Sequence, residues 1–279
     1  MKKASIWFAA VFMTLASAVW QRTTGPTHPL RGSVELGGEE IRLVLTRSHE
    51  TTADQPVRVA VGDPAVNGEV AWRRYPTEDP WRRLPLQREG DELVAALPRQ
   101  PAAGKLEYSV HLVRDGEEAS FPDRPAITRF KDPVPAAALI PHILFMFLVM
   151  LLGNAAGLFA LTGWGTYRGL AWVVFGSLVI GGFVFGPLVQ KYAFGAWWTG
   201  FPFGTDLTDN KTLLAGIAWT WAVWRLCRGY RARVSVVVAT VVTIVIFAIP
   251  HSMMGSQLDW DELPPNGSEV FQEAAEPRT

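Results

Sequence analysis

From Val134 to Tyr167, and again from Gly169 to Gln190, the chain contains no Asp, Glu, Lys or Arg. Stretches this long without charge offer no face to water, whereas a bilayer takes about 20 apolar residues per crossing. The sequence therefore reads as an integral membrane protein before any motif is considered. A formal net charge of +0 over 279 residues argues against a nucleic-acid partner, which needs a basic surface. The length suits roughly two domains. Cys227 stands alone, which excludes an intrachain disulfide and any cysteine-based zinc or iron–sulfur framework.

Lys2 and Lys3 precede the apolar run from Ala4 to Trp20, the pattern of a signal peptide or of an uncleaved anchor. Ala16-Ser17-Ala18 offers a cleavage site, while Trp20 is the interfacial residue an anchor over residues 1–22 would place at the headgroups. Either one exports the polar segment after it. Residues 31–132 make up that segment, with short alternating runs such as Ile41-Arg42-Leu43-Val44-Leu45, Val57-Arg58-Val59-Ala60-Val61, Leu93-Val94-Ala95-Ala96-Leu97 and Tyr108-Ser109-Val110-His111-Leu112-Val113. Alternation marks strands with one buried face. Gly37-Gly38, Glu89-Gly90-Asp91 and Arg114-Asp115-Gly116 supply the turns, so an all-β, immunoglobulin-like sandwich without a disulfide is expected here.

Pro133 and Pro135 close this domain, and a four-helix transmembrane domain is expected over residues 136–251, with spans at 136–161, 170–190, 212–226 and 234–249. Lysine and arginine in short loops mark the cytoplasmic side. That rule puts the Arg168 loop, and the loop with Arg225, Arg228, Arg231 and Arg233, inside the cell. The β-domain, the loop from Lys191 to Lys211 and the tail 252–279, expected to be disordered towards its end, then face the periplasm of a bacterial inner membrane.

Ile-Pro-His occurs twice, at Ile140-Pro141-His142 and Ile249-Pro250-His251, each where an apolar run meets polar sequence. On this topology one copy opens a span and the other closes one, so both imidazoles lie at the outer surface. Two neutral imidazoles can hold a haem b iron from opposite faces. Met146, one turn beyond His142, and Met253 and Met254, just after His251, add thioethers that suit copper, above all Cu(I). Against this stands a purely structural role, with each histidine hydrogen-bonding at a proline-shaped helix end and the methionines filling apolar gaps.

The outer loop is dense in aromatics, with Tyr192, Phe194, Trp197, Trp198, Phe201 and Phe203 among glycines, and ends Asp206-Leu207-Thr208-Asp209-Asn210-Lys211. Such aromatics lie at the headgroups or fold over a pocket. Trp197, Trp198, Asp206, Asp209, Asn210 and Lys211 thus form a second candidate site. Asp206 and Asp209 suggest a cation, without the EF-hand spacing; the competing reading has Asp209 or Thr208 capping a helix that begins near Thr212. Gly153, Ala156 and Gly157, and Gly176, Gly181 and Gly182, suit close helix packing. Trp219, Trp221 and Trp224 suit an inner aromatic belt. Trp72-Arg73-Arg74-Tyr75 and Trp81-Arg82-Arg83 fit either an acidic partner or a strand with inward Trp and solvated Arg. Neither Gly-x-Ser-x-Gly nor His-Glu-x-x-His occurs, which disfavours an enzyme.

Thr24-Gly25-Pro26-Thr27, Gln100-Pro101-Ala102-Ala103-Gly104-Lys105, the two Ile-Pro-His copies and Asp206 to Lys211 together resemble an uncharacterised family of bacterial polytopic inner-membrane proteins. The resemblance implies this architecture and carries over no activity. The functional expectation is a haem- or copper-binding redox or binding module at the periplasmic face. The alternative is an assembly or scaffolding subunit whose sandwich docks a partner in a membrane complex, with a lipid-modifying enzyme third.

Overall fold

The alternating runs become strands because each has one face to bury. The computed structural model describes residues 3–251, 255 and 257–260. These divide into a helical unit, residues 3–26 and 134–255, and a β unit, residues 27–133 and 257–260. The architecture is mixed, with helices and two β-sheets in separate units.

The β unit contains β1 (Leu30–Leu36), β2 (Glu39–Leu45), β3 (Ser48–Glu50), β4 (Gln55–Ala60), β5 (Asn67–Arg74), β6 (Arg82–Pro85), β7 (Gln87–Glu89), β8 (Glu92–Leu97), β9 (Lys105–Arg114) and β10 (Glu117–Lys131). One five-stranded sheet has the order β1-β2-β4-β8-β7 and the other β3-β10-β9-β5-β6. In β2, Ile41, Leu43 and Leu45 are buried while Arg42 and Val44 face out, the expected period of two. Leu43, Val59 and Leu93 of the first sheet share one core with Val70, Tyr108 and Phe130 of the second. Each such leucine contributes about 1.5–3 kcal/mol by leaving water. Polar side chains buried in this core find partners in it: Tyr108 donates its hydroxyl to the Thr46 carbonyl at 2.7 Å, and Thr128 donates to Gln55 at 2.7 Å, while the buried Trp72 indole nitrogen has none.

Trp72 points inward, but its arginine neighbours are not free for an acidic partner. Arg73 pairs with Glu107 and Arg74 with Asp79, each at 2.5 Å. Residues 257–260 return to this unit, where Trp260 donates to the Tyr75 carbonyl at 3.2 Å beneath the Arg74 guanidinium.

The helical unit comprises α1 (Lys3–Thr24), α2 (Ala136–Thr162), α3 (Tyr167–Leu178), a π-helical turn (Val179–Phe185), α4 (Gly186–Phe194), α5 (Leu207–Cys227) and α6 (Arg233–Ala248). Among the described residues three helices are long and apolar enough to cross a membrane: α1, α2 and the continuous Tyr167–Phe194 rod formed by α3, the π turn and α4. The apolar α6 is shorter, and α5 carries Asp209, Lys211 and Arg225.

Small and hydroxyl residues let the helices meet. A Cβ on Gly157 would stand 2.6 Å from Thr240 Cγ2, so only glycine admits this approach, and Thr240 uses it to donate to the Gly153 carbonyl at 3.0 Å. Asn154 donates to Thr14 on α1 at 3.1 Å, and Trp219 on α5 donates to Thr243 on α6 at 2.9 Å. Gly163, at φ 81°, ends α2, and Arg233 caps the freed carbonyls of Ala160 and Leu161 at 2.9 and 3.1 Å. A cation at a helix C-terminus is favoured by the helix dipole.

Candidate functional site

Pro250 stops α6, and helix termination leaves carbonyls without partners. Here side chains from two other helices take them. Trp20 of α1 donates to the Ala248 carbonyl at 2.9 Å, and Gln21 donates to that of Phe247. Lys211, buried near the start of α5, donates its ammonium to the carbonyls of Ile249 at 2.9 Å and Pro250 at 3.3 Å. The chain therefore leaves α6 along a fixed path, and His251 is the next residue.

His142, in the second turn of α2 beside Pro141, meets the π turn. Its Nδ1 lies 2.9 Å from the Gly181 carbonyl, which also accepts the Gly186 amide. A carbonyl only accepts, so Nδ1 carries the hydrogen and Nε2 of the neutral ring keeps its lone pair. Carbonyl-oriented imidazoles are a recurring second shell of metal-binding histidines, and π turns recur at functional sites. Met146 joins the same ledge: its sulfur is 3.4 Å from the place a Gly181 Cβ would occupy and 3.8 Å from that of Gly182.

The His251 ring lies within electrostatic reach of His142, Lys211 and Asp206. Its side chain reaches solvent although protein atoms crowd around it. Its surroundings push it below the ordinary histidine value to about 4: burial first, then the Lys211 charge and His142, with Asp206 opposing. His251 is therefore a neutral imidazole at pH 7, the form that binds metals.

The second candidate site resolves differently. Asp206, rather than Asp209 or Thr208, caps α5, which starts at Leu207 instead of near Thr212; its carboxylate accepts the amides of Thr208 at 2.7 Å and Asp209 at 3.4 Å. Asp209 holds the aromatic loop, accepting the Thr199 amide at 2.7 Å and the Gly200 amide at 3.1 Å, and Asn210 accepts the Phe201 amide at 2.7 Å. These oxygens already have donors, so a cation would compete with backbone amides. Trp198 stacks on Phe183 with ring centroids 6.1 Å apart and donates to the Phe201 carbonyl at 3.1 Å, while Trp197 is exposed. Lys211 serves the end of α6 instead of the loop, through the Ile249 and Pro250 carbonyls.

Met253 and Met254 lie outside the described residues. Among the described residues no group of three or more His, Cys, Asp or Glu converges on one point. The candidate donors are His142, whose Nδ1 is bonded to Gly181, His251, whose surroundings include the His142 charge, and the Met146 sulfur, which lies against Gly181 and Gly182. The sequence pattern did not anticipate the Gly181 carbonyl or the Lys211 contacts; the doubled glycine in an apolar helix was the available signal for the first, and a lysine beside an apolar run for the second. Comparisons with protein-family models, with curated proteins and with solved structures find no match.

Proposed function

We propose that the chain is a multi-pass protein of a bacterial inner membrane and a copper-binding redox or binding module with its site at the periplasmic face. Its β unit is read as an immunoglobulin-like sandwich on that same side. The reading is supported by His142, whose Nδ1–H is fixed by Gly181, and by a neutral His251 whose electrostatic surroundings include His142.

Haem b remains the other group two histidines serve. Copper is favoured over it by Met146, a soft donor on the His142 ledge. Lys211 favours the monovalent ion, because its positive charge repels Cu(II) more than Cu(I). His142 Nε2, the His251 ring and the Met146 sulfur would hold the ion, which when bound would supply one-electron chemistry or a carrier site.

The test is an anaerobic Cu(I) titration of the detergent-solubilised full chain against a chromophoric competitor, with an absorption spectrum of the protein as isolated. The expected result is tight binding that falls at least about 100-fold in His142→Ala and in His251→Ala, since even an outer-sphere partner is worth about 10–100-fold. A Soret band lost in both variants would assign haem instead. No copper and no Soret band would reduce both histidines to helix-end residues.

A further inference from the structure

An apolar groove of about 510 Å³ runs between α3 with its π turn and α5, and neither His142, His251 nor Met146 lines it. Leu178, Val179 and Phe183 form one wall, and Gly216, Ile217 and Trp224 the other. Gly216 sets its width, because a Cβ there would stand 2.6 Å from the Phe183 ring. Thr220 supplies the hydroxyl in an otherwise apolar lining.

The groove has a charged end. Trp221 and Trp224 line it, and the guanidinium of Arg225 lies 5.9 Å from the Trp221 ring while that of Arg228 lies 5.5 Å from the Trp224 ring. Among the described residues no carboxylate pairs with either arginine. Both guanidiniums thus lie against aromatic rings beside one end of the apolar trough, Arg225 also against Tyr230 at 4.7 Å, and among the described residues neither has a carboxylate partner. An occupant that matches both parts has a hydrocarbon chain and an anionic head.

The geometry points to an anionic bilayer phospholipid, with one acyl chain in the groove and its phosphate on Arg225 and Arg228. The volume falls within the roughly 300–1,000 Å³ of ordinary ligand pockets. Basic pockets between helices at the cytoplasmic surface are a known way of holding acidic headgroups. The inference rests on the reading of the helical unit as membrane-spanning and is independent of copper.

The experiment reconstitutes the full chain in phosphatidylcholine vesicles containing a minor fraction of phosphatidylglycerol, then counts lipids retained on the extracted protein by native mass spectrometry. Wild type should keep phosphatidylglycerol in preference to phosphatidylcholine. Arg225→Gln and Arg228→Gln should each weaken that preference about fivefold, the worth of one basic side chain at an anionic surface. Arg225→Lys should keep most of it, and Thr220→Trp, which fills the trough, should displace lipid whatever its head. Equal retention of both lipids, an unchanged preference in the two glutamine variants, or a second copy of the chain seated in the groove would overturn the inference. A chain that fails to float with the vesicles would instead sink the membrane reading itself.

Discussion

The Nδ1–H of His142 on α2 donates to the carbonyl of Gly181, in the π turn of the neighbouring helix, across 2.9 Å. The bond depends on how closely the two helices approach, and that approach depends on Gly181 having no side chain. A Cβ there would meet Phe145 Cβ at 2.6 Å and the Met146 sulfur at 3.4 Å.

Gly181→Ala should therefore disturb the site without touching a ligand. Overpacking of this kind costs about 1–3 kcal/mol, so the thermal midpoint in detergent should fall and Cu(I) should bind more weakly. Gly176→Ala, in the same rod with open space at its Cβ, is the control and should change neither. Equal behaviour of the two variants would mean that the close approach does not orient His142.

Lys211 makes a prediction with two opposite signs. Replacing it with methionine leaves the Ile249 and Pro250 carbonyls without their donor, at a cost of about 1–3 kcal/mol for a buried group left unpaired. The same change removes the positive charge that faces His251. Lys211→Met should thus lower the thermal midpoint while tightening Cu(I) binding in the protein that remains folded. A variant that loses both stability and affinity would show that Lys211 serves only to place the α6 terminus.

These relationships were unevenly legible in the sequence. The alternating runs at Ile41, Val57, Leu93 and Tyr108 lie in β2, β4, β8 and β9, because side-chain period follows directly from strand geometry. The apolar runs likewise coincide with helices of the second unit, although α5 begins at Leu207, ahead of its apolar part. The π turn was not legible, since hydropathy records which residues are apolar and not which carbonyl each amide chooses. Gly181 and Gly182 read as packing residues, which they are, but their carbonyl chemistry appears only in the backbone. The cap at Asp206 was misplaced for a related reason: Asp209 carries the same chemical qualification, and only the loop's return to Thr199 and Gly200 tells the two apart. How near the two Ile-Pro-His copies stand depends on helix order, which hydropathy does not encode.

The His251 environment sets a pH dependence. In the folded chain its value is lowered to about 4, whereas the unfolded chain has an ordinary histidine near 6.5. The unfolded state thus binds the proton first, so the stability associated with neutral His251 is complete above about pH 6.5 and is lost as the pH falls towards 4. Copper occupancy should follow the folded value and stay level from pH 7 to about 5 before dropping. Half-loss near pH 6.5 in a metal-competition titration would place His251 in an ordinary aqueous setting and contradict the lowered value.

Asp209 separates the two readings of the aromatic loop. Its Oδ2 accepts the Thr199 amide at 2.7 Å, the Gly200 amide at 3.1 Å and the Thr199 hydroxyl at 3.3 Å, so its main role is to hold the loop against the start of α5. Asp209→Ala leaves those donors unpaired and should cost about 1–3 kcal/mol, with faster proteolytic cleavage between residues 195 and 206. Asp209→Asn keeps an acceptor oxygen and loses the charge, so it should fall between alanine and wild type. A cation-binding loop would behave otherwise: chelation of wild type would speed cleavage as much as Asp209→Ala does, and asparagine would be as damaging as alanine. Cleavage rates for the three proteins, with and without chelator, decide between a carboxylate that binds amides and one that binds a metal.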